Sequence, residues 1–262
     1  MRFHPVLLAG LLVLSAGCSG IAGLGSDPAE SVTPAPVPEA TTGSEQRPAP
    51  PPGIGDGGIE RVETLAASHQ TALWNQSYTF YERYERQRET PNGTVTLVRN
   101  ETTLVAGPQR YLHRLHRQRY RGSETLSRYE QTAFADGERW YERRDDGTVT
   151  ETSGTLRFTE DKFASEAAFY VARYVTVTES RTRRTRWDGR EYFRVTGTDG
   201  TPPSGRDVDA YTVSLVVDSD GLIHRLDVRY RTGTRTVWYS FWYERVGQTS
   251  VPTPGWVGAD GG

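Results

Sequence analysis

The sequence predicts an α+β domain in which a curved antiparallel sheet, a half-barrel, wraps around two helices. Three observations carry this. Two segments place apolar residues at helical spacing, about ten others alternate or read as short strands between turn residues, and the best of the strand pairs has one apolar and one charged face. An amphipathic helix and a one-sided sheet must each bury an apolar face, and covering one with the other is the economical solution.

The elements follow in order. Ile59, Val62, Leu65, Ala66, His69, Ala72 and Leu73 recur at helical spacing, with Glu60 and Glu63 near the positive end, which predicts a helix over 59–74. Strands are expected over 77–88, 94–106, 110–120, 128–135 and 138–144, separated by Pro91-Asn92-Gly93, Gly107-Pro108, Gly122 and Asp136-Gly137. A second helix is signalled from Thr159 as N-cap through Phe163, Ala167, Tyr170, Val171 and Tyr174. Strands then return over 175–187, 191–196, 210–217, 222–231 and 234–245.

In the penultimate hairpin Tyr211, Val213, Leu215 and Val217 share one face. Leu222, His224, Leu226, Val228 and Tyr230 share one face of the return strand, with Arg225, Asp227, Arg229 and Arg231 opposite. The final strand differs. Val237, Tyr239, Phe241 and Tyr243 alternate with Trp238 and Trp242, so both of its faces need cover, from the helices on one side and from a ligand or the chain end near Trp256 on the other. The sequence does not fix the register, and a one-residue slip would exchange the two sets, so which of them faces inward stays open. The residues expected at a ligand site are therefore Trp238 and Trp242, with Tyr170 and Leu73 on the helices.

Ahead of this domain, residues 1–17 have Arg2, an apolar run from Val6 to Leu14 and the small residues Ser15-Ala16-Gly17 before Cys18. The run is short of the ~20 residues that span a bilayer and reads as a cleaved export signal. Residues 18–57 hold eight of the 15 prolines and no aromatic residue, the composition of an extended tether. The domain is expected over 58–257, with a flexible tail at 258–262.

Composition excludes several classes. Lys plus Arg is 31 against 33 Asp plus Glu, a net charge of −2, which argues against a nucleic-acid partner. The one cysteine, Cys18, lies outside the domain, so no internal disulfide, Cys-rich zinc site or thiol nucleophile is expected there. His113 and His116 are three apart on a strand, hence on opposite faces, and no metal or other cofactor is expected. The sequence shows no G-x-S-x-G, P-loop, G-x-G-x-x-G or H-E-x-x-H motif, and an enzyme is not expected. Asp218 and Asp220 before Gly221 read as a hairpin turn, and His224 as a hydrogen-bonded core residue. Arg110 to Arg121 carries five arginines and no acid; this reads either as a solvated strand face or as a site for phosphate head groups or an acidic glycan. Asn75, Asn92 and Asn100 open glycosylation sequons.

The ending L-S-A-G-C at Leu14–Cys18 resembles a lipobox, although Ser15 stands where a branched apolar residue is usual. Together with the Pro-rich tether, the Asn75-Gln76-Ser77-Tyr78-Thr79 stretch, the V-V-D-S-D-G-L-I-H-R-L-D-V hairpin and Val251-Pro252-Thr253-Pro254-Gly255-Trp256-Val257, it resembles a family of haloarchaeal cell-surface lipoproteins. The order helix, meander, helix, meander is more distantly similar to the LolA-like half-barrel of lipoprotein-localisation carriers. These resemblances imply a lipid on Cys18, anchorage at the extracytoplasmic face of the membrane, and a lipid or apolar ligand held between sheet and helices. The alternative is a structural or interaction module of the envelope with a solid core.

Overall fold

The computed structural model describes residues 49–153, 161–202 and 208–258. Cys18, Thr159 and the tail beyond Gly258 lie outside them. The chain opens with two short strands, β1 (Ile54–Gly55) and β2 (Gly58–Ile59), and helix α1 (Val62–Ala72). A first meander follows: β3 (Tyr78–Arg88), β4 (Val95–Gly107), β5 (Arg110–Arg121), β6 (Glu124–Asp136), β7 (Arg139–Arg144) and β8 (Val149–Ser153). Helix α2 (Lys162–Tyr174) leads into a second meander of β9 (Val177–Trp187), β10 (Arg190–Gly200), β11 (Ala210–Asp218), β12 (Ile223–Thr232) and β13 (Arg235–Glu244). The two meanders join through an antiparallel β3–β13 pair into one open 11-stranded sheet, ordered β8-β7-β6-β5-β4-β3-β13-β12-β11-β10-β9. Every other neighbouring pair in it is consecutive in the chain and antiparallel.

Both helices pack on one face of this sheet, the helix-bearing face. Leu65, Ala66 and His69 of the first helix, Leu73 at its C-cap, and Phe163, Ala164, Ala167, Val171 and Tyr174 of the second are buried with Tyr78, Phe80, Val105, Tyr111, Phe241 and Tyr243 of the strands. Each fully buried side chain of this size contributes about 1.5–3 kcal/mol, so the helix–sheet contact dominates the fold. Gln70 Nε2 donates to Ser165 Oγ at 2.8 Å and ties the helices to each other. Among the described residues no helix is long and apolar enough to cross a membrane.

The ends of the elements depart from the sequence expectation for local reasons. Helix α1 starts at Val62, because the preceding residues fold back: Gly53 O accepts from Glu60 N and Arg61 N at 2.9 and 3.1 Å, and Ile54 pairs with Ile59. Gly53 has φ of +87°, and a Cβ there would sit 2.4 Å from Arg61 O, so this turn requires glycine. Ile54 and Gly55, inside the segment expected to be tether, are thus built into the fold. The cap of α2 is Asp161, whose Oδ1 accepts from Phe163 N and Ala164 N at 3.0 and 3.1 Å. Strand β8 was not expected, and β6 begins four residues before the expected Arg128.

His224 is a correction. A bulge between Val216 and Val217 pairs Val217 with Ile223 and Val216 with Arg225, leaving His224 as the extra residue. Ile223 therefore takes the core position, and the half-buried His224 ring bonds Asp218 Oδ2 at 2.9 Å instead. Asp218 also accepts from Asp220 N and Leu222 N, closing the turn as expected. Gly221 presses that turn onto α1, where a Cβ would stand 2.6 Å from Ser68 Cβ.

The final strand is resolved by register. Val237, Tyr239, Phe241 and Tyr243 are buried on the helix-bearing face, and Trp238 and Trp242 lie half-buried on the opposite, bare face. Among the described residues the C-terminal segment packs elsewhere than on the tryptophans. Val251, Trp256 and Val257 pack on Leu104, Leu112, Phe134 and Tyr141 of the bare face, where Thr249 Oγ1 and Thr79 Oγ1 are 3.0 Å apart and Arg110 donates to Val251 O.

Candidate functional site

Three neighbouring strands change character along the helix-bearing face. On β3 the residues run Tyr78, Phe80, Glu82, Tyr84, Arg86, Arg88; on β4, in register, Val105, Thr103, Glu101, Arg99, Leu97, Val95; on β5, Tyr111, His113, Leu115, Arg117, Arg119, Arg121. The first pairs are core beneath the helices. The middle pairs form a polar cluster around the buried Glu82, and the last pairs lie beyond the core.

In the cluster, Glu82 is 4% exposed. It accepts from the Arg99 guanidinium and, at 3.2 Å, from the Tyr239 hydroxyl. Arg99 Nε also meets Glu101 Oε1 at 2.8 Å, and Glu101 Oε2 lies 3.3 Å from His113 Nε2. His113 Nδ1 is 2.9 Å from Thr103 Oγ1, and its ring stacks on Phe163 of α2 at 5.5 Å. Burial, then nearby Lys162 and Arg99, bring His113 down to about 4, so its ring is neutral; with Nε2–H donating to Glu101, Nδ1 accepts from Thr103. Burial, then the charge of Glu101, lift the Glu82 carboxyl to about 7 against the opposing pull of Arg99. One guanidinium thus serves two carboxyls, one of which titrates near neutral pH.

Beyond the cluster lies a cleft of about 360 Å³, bounded by Arg86, Arg88, Arg117 and Arg119 around Val95 and Leu97. Arg117 lies 5.2 Å above the Tyr129 ring. The five arginines of 110–121 divide between the faces: Arg117, Arg119 and Arg121 share the parity of the helix-bearing face, and Arg110 and Arg114 that of the bare face.

The bare face carries a separate open groove of about 570 Å³ beside Trp238, lined by Arg194, Thr212, Ser214, Asp227 and Arg229 among others. Arg229 covers Trp238 at 5.3 Å; Trp242 is stacked with Tyr81 at 5.0 Å and 9°, and Arg225 approaches it at 5.9 Å. Arginine arms and a neighbouring ring supply the cover that this side of β13 needs.

The four expected ligand residues are therefore not brought together. Tyr170 touches Tyr239 at 5.0 Å beside the Glu82 cluster and Leu73 is in the core, whereas Trp238 and Trp242 are across the sheet. His113 and His116 point to opposite faces as their spacing requires, His116 Nδ1 meeting Glu130 at 3.0 Å. Asn75, Asn92 and Asn100 are exposed. Glu82, Arg99, Glu101 and the cleft arginines Arg86 and Arg88 were not picked out from sequence. Their signal was an acid, then arginines, at alternate positions of an otherwise aromatic strand face.

Fold and site together define an α+β protein with an open antiparallel sheet, two helices on one face, and an arginine-lined cleft beyond them. No protein-family model and no curated protein matches the sequence. Among solved structures the chain is similar to a LolA superfamily protein from Nitrosomonas europaea (9% identity, 73% of this chain and 94% of that one, TM-score 0.27). It is also similar to a putative outer membrane lipoprotein-sorting protein domain from Vibrio parahaemolyticus (9%, 72% and 93%, TM-score 0.25). A third is a beta-barrel-like protein of a domain of unknown function from Brucella abortus (9%, 67% and 98%, TM-score 0.27). Likeness of this degree says nothing of ligand or activity.

Proposed function

We propose that this is a lipid-anchored, extracytoplasmic binding protein without catalytic activity, whose half-barrel sheet holds an amphiphilic, lipid-like ligand on its helix-bearing face. The observation that carries this is the cleft at the edge of the core, where Leu97 and Val95 meet four arginines in a volume within the range of small-ligand sites. The ligand sits beyond the helices rather than beneath them, because the helix–sheet contact is filled by side chains such as Leu65, Leu73 and Phe241, each 0% exposed. Tyr170 and Tyr84 border the cluster that separates the two regions. Mass spectrometry of the purified chain for co-purifying lipid tests the reading: lipid is expected with the wild type and lost in Leu97→Trp, which fills the cleft. Equal recovery from both overturns it.

The filled core is also the specific observation in favour of the second reading, an envelope module without a ligand; absence of any co-purifying lipid supports that one. Anchorage is proposed through Cys18 on its sequence context. Cell fractionation of Cys18→Ser is expected to move the protein out of the membrane fraction, and full retention there refutes the anchor. Glycosylation is proposed at the exposed Asn92, with Asn75 and Asn100 as further acceptors; an unmodified peptide spanning Asn92 in native protein rejects it there.

A further inference from the structure

Across the sheet, two rungs of residues run through the outer part of the cleft, which Arg86, Leu97 and Arg119 of the one and Arg88 and Val95 of the other line. Register places Arg86, Leu97 and Arg119 side by side in one, and Arg235, Arg88, Val95 and Arg121 in the next. Each rung thus sets arginines on either side of an aliphatic residue, on strands roughly 10 Å apart, a distance that two arginine arms close. Arg88 and Arg235 are directly opposed on neighbouring strands, an arrangement that costs stability between like charges.

Some arginines of this chain are held by a carboxylate. Arg83 meets Glu85 at 3.0 Å, Arg139 meets Glu151 at 3.1 Å, and Arg225 grips Asp227 at 2.6 and 2.8 Å. Among the described residues Arg86, Arg88, Arg117, Arg119, Arg121 and Arg235 make no such ion pair. Glu124, in register with Arg121, is exposed and forms none either. Arg121 Nε, beside the cleft rather than in its lining, is buried with no hydrogen-bond partner. Four guanidinia without carboxylate partners, gathered around one cleft, suit an anion supplied from outside.

We infer that the two rungs bind a phosphate group, as carried by a phospholipid head or as free phosphate. A carboxylate has two oxygens and saturates one guanidinium fork. Forks converging from β3 and β5 need more acceptors and more charge, which a phosphate monoester supplies. In a lipid, Leu97, Val95 and the arginine stems would meet the first methylenes. The inference rests on the cleft being the ligand site, and names what the ligand presents to it.

The test is calorimetric titration of the full, detergent-purified chain with three probes: dihexanoyl-phosphatidic acid, dihexanoylglycerol with the same chains and no phosphate, and inorganic phosphate. The phosphatidic acid is expected to bind better than the glycerol, and in Arg86→Gln with Arg119→Gln to bind at least about tenfold more weakly. The glycerol should bind both proteins alike. Without ligand, the thermal midpoint of the double variant should equal or exceed that of the wild type, because repulsion is relieved. Should that variant not fold, Arg88→Gln with Arg235→Gln removes the opposed pair on the second rung and serves instead. Equal phosphatidic acid binding by wild type and folded variant overturns the phosphate site. Equal, Leu97→Trp-sensitive binding of both lipids overturns it while leaving the cleft as ligand site. No binding of any probe overturns both readings. Inorganic phosphate binding as tightly as phosphatidic acid, and lost in the variant, upholds the phosphate site and overturns the lipid ligand.

Discussion

His69 joins the first helix to two strands only while its ring is neutral. Nδ1 accepts from Ile223 N at 3.1 Å, which leaves Nε2–H to donate to the Tyr243 hydroxyl at 3.2 Å. Burial, then the charge of His224, hold the ring at about 3. Below its ordinary 6.5 the unfolded chain takes up a proton that the folded chain refuses, so this residue lowers stability as pH falls from 6.5 toward 3. Glu82 has the opposite sign. Its carboxyl is raised from 4.5 to about 7, so as pH falls through that window the folded chain protonates first and gains stability, by at most about 3 kcal/mol. Subtracting the pH profile of Glu82→Gln from that of the wild type, in urea midpoints, should give a curve that rises from pH 7 to pH 4.5. A flat difference curve would show that the Glu82 carboxyl titrates normally. His69→Leu leaves Ile223 N–H and the Tyr243 hydroxyl unpaired in the core and should cost about 2–4 kcal/mol. A loss under ~1 kcal/mol in a denaturant titration would contradict the buried bridge.

At the scale of elements, periodicity carried most of the reading and local hydrogen bonding carried the rest. Alternation on β11 and helical spacing on α2 depend only on which residues are apolar, so these elements were legible. Their ends were not, because several residues near each end are chemically able to cap or turn. Asp161, two residues past the expected Thr159, caps α2 because its second oxygen also receives the Tyr78 hydroxyl at 2.7 Å, a tertiary contact that local sequence does not encode. Asp161→Ala removes the cap and orphans that buried hydroxyl, and should lower stability by about 2–3 kcal/mol; Asp161→Asn, which retains an acceptor, should cost less. Thermal melts of the pair decide it, and equal losses would mean that cap geometry is not the cause. The bulge at His224 was invisible for a related reason: a strand pattern read on one strand does not show that its partner is one residue short.

At the scale of the whole molecule, the candidate site became legible only when strands distant in sequence were laid side by side. The arginine run of β5 stood out by composition, but its division between faces and its juxtaposition with Arg86, Arg88 and Arg235 require the β3–β4–β5 and β3–β13 registers. Trp238 and Trp242 show the converse. They stood out as aromatic residues on a strand apolar on both sides, yet arginines and Tyr81 cover them on the face away from the helices. A ligand held on the helix-bearing face is separated from them by the sheet itself. Trp238→Ala with Trp242→Ala should therefore leave lipid recovery at the wild-type level, with an unchanged circular dichroism spectrum, while Leu97→Trp abolishes recovery. The opposite pattern, with lipid lost in the tryptophan pair and kept in Leu97→Trp, would move the site to the bare-face groove, where Thr212, Ser214 and Asp227 beside Trp238 would then be its walls.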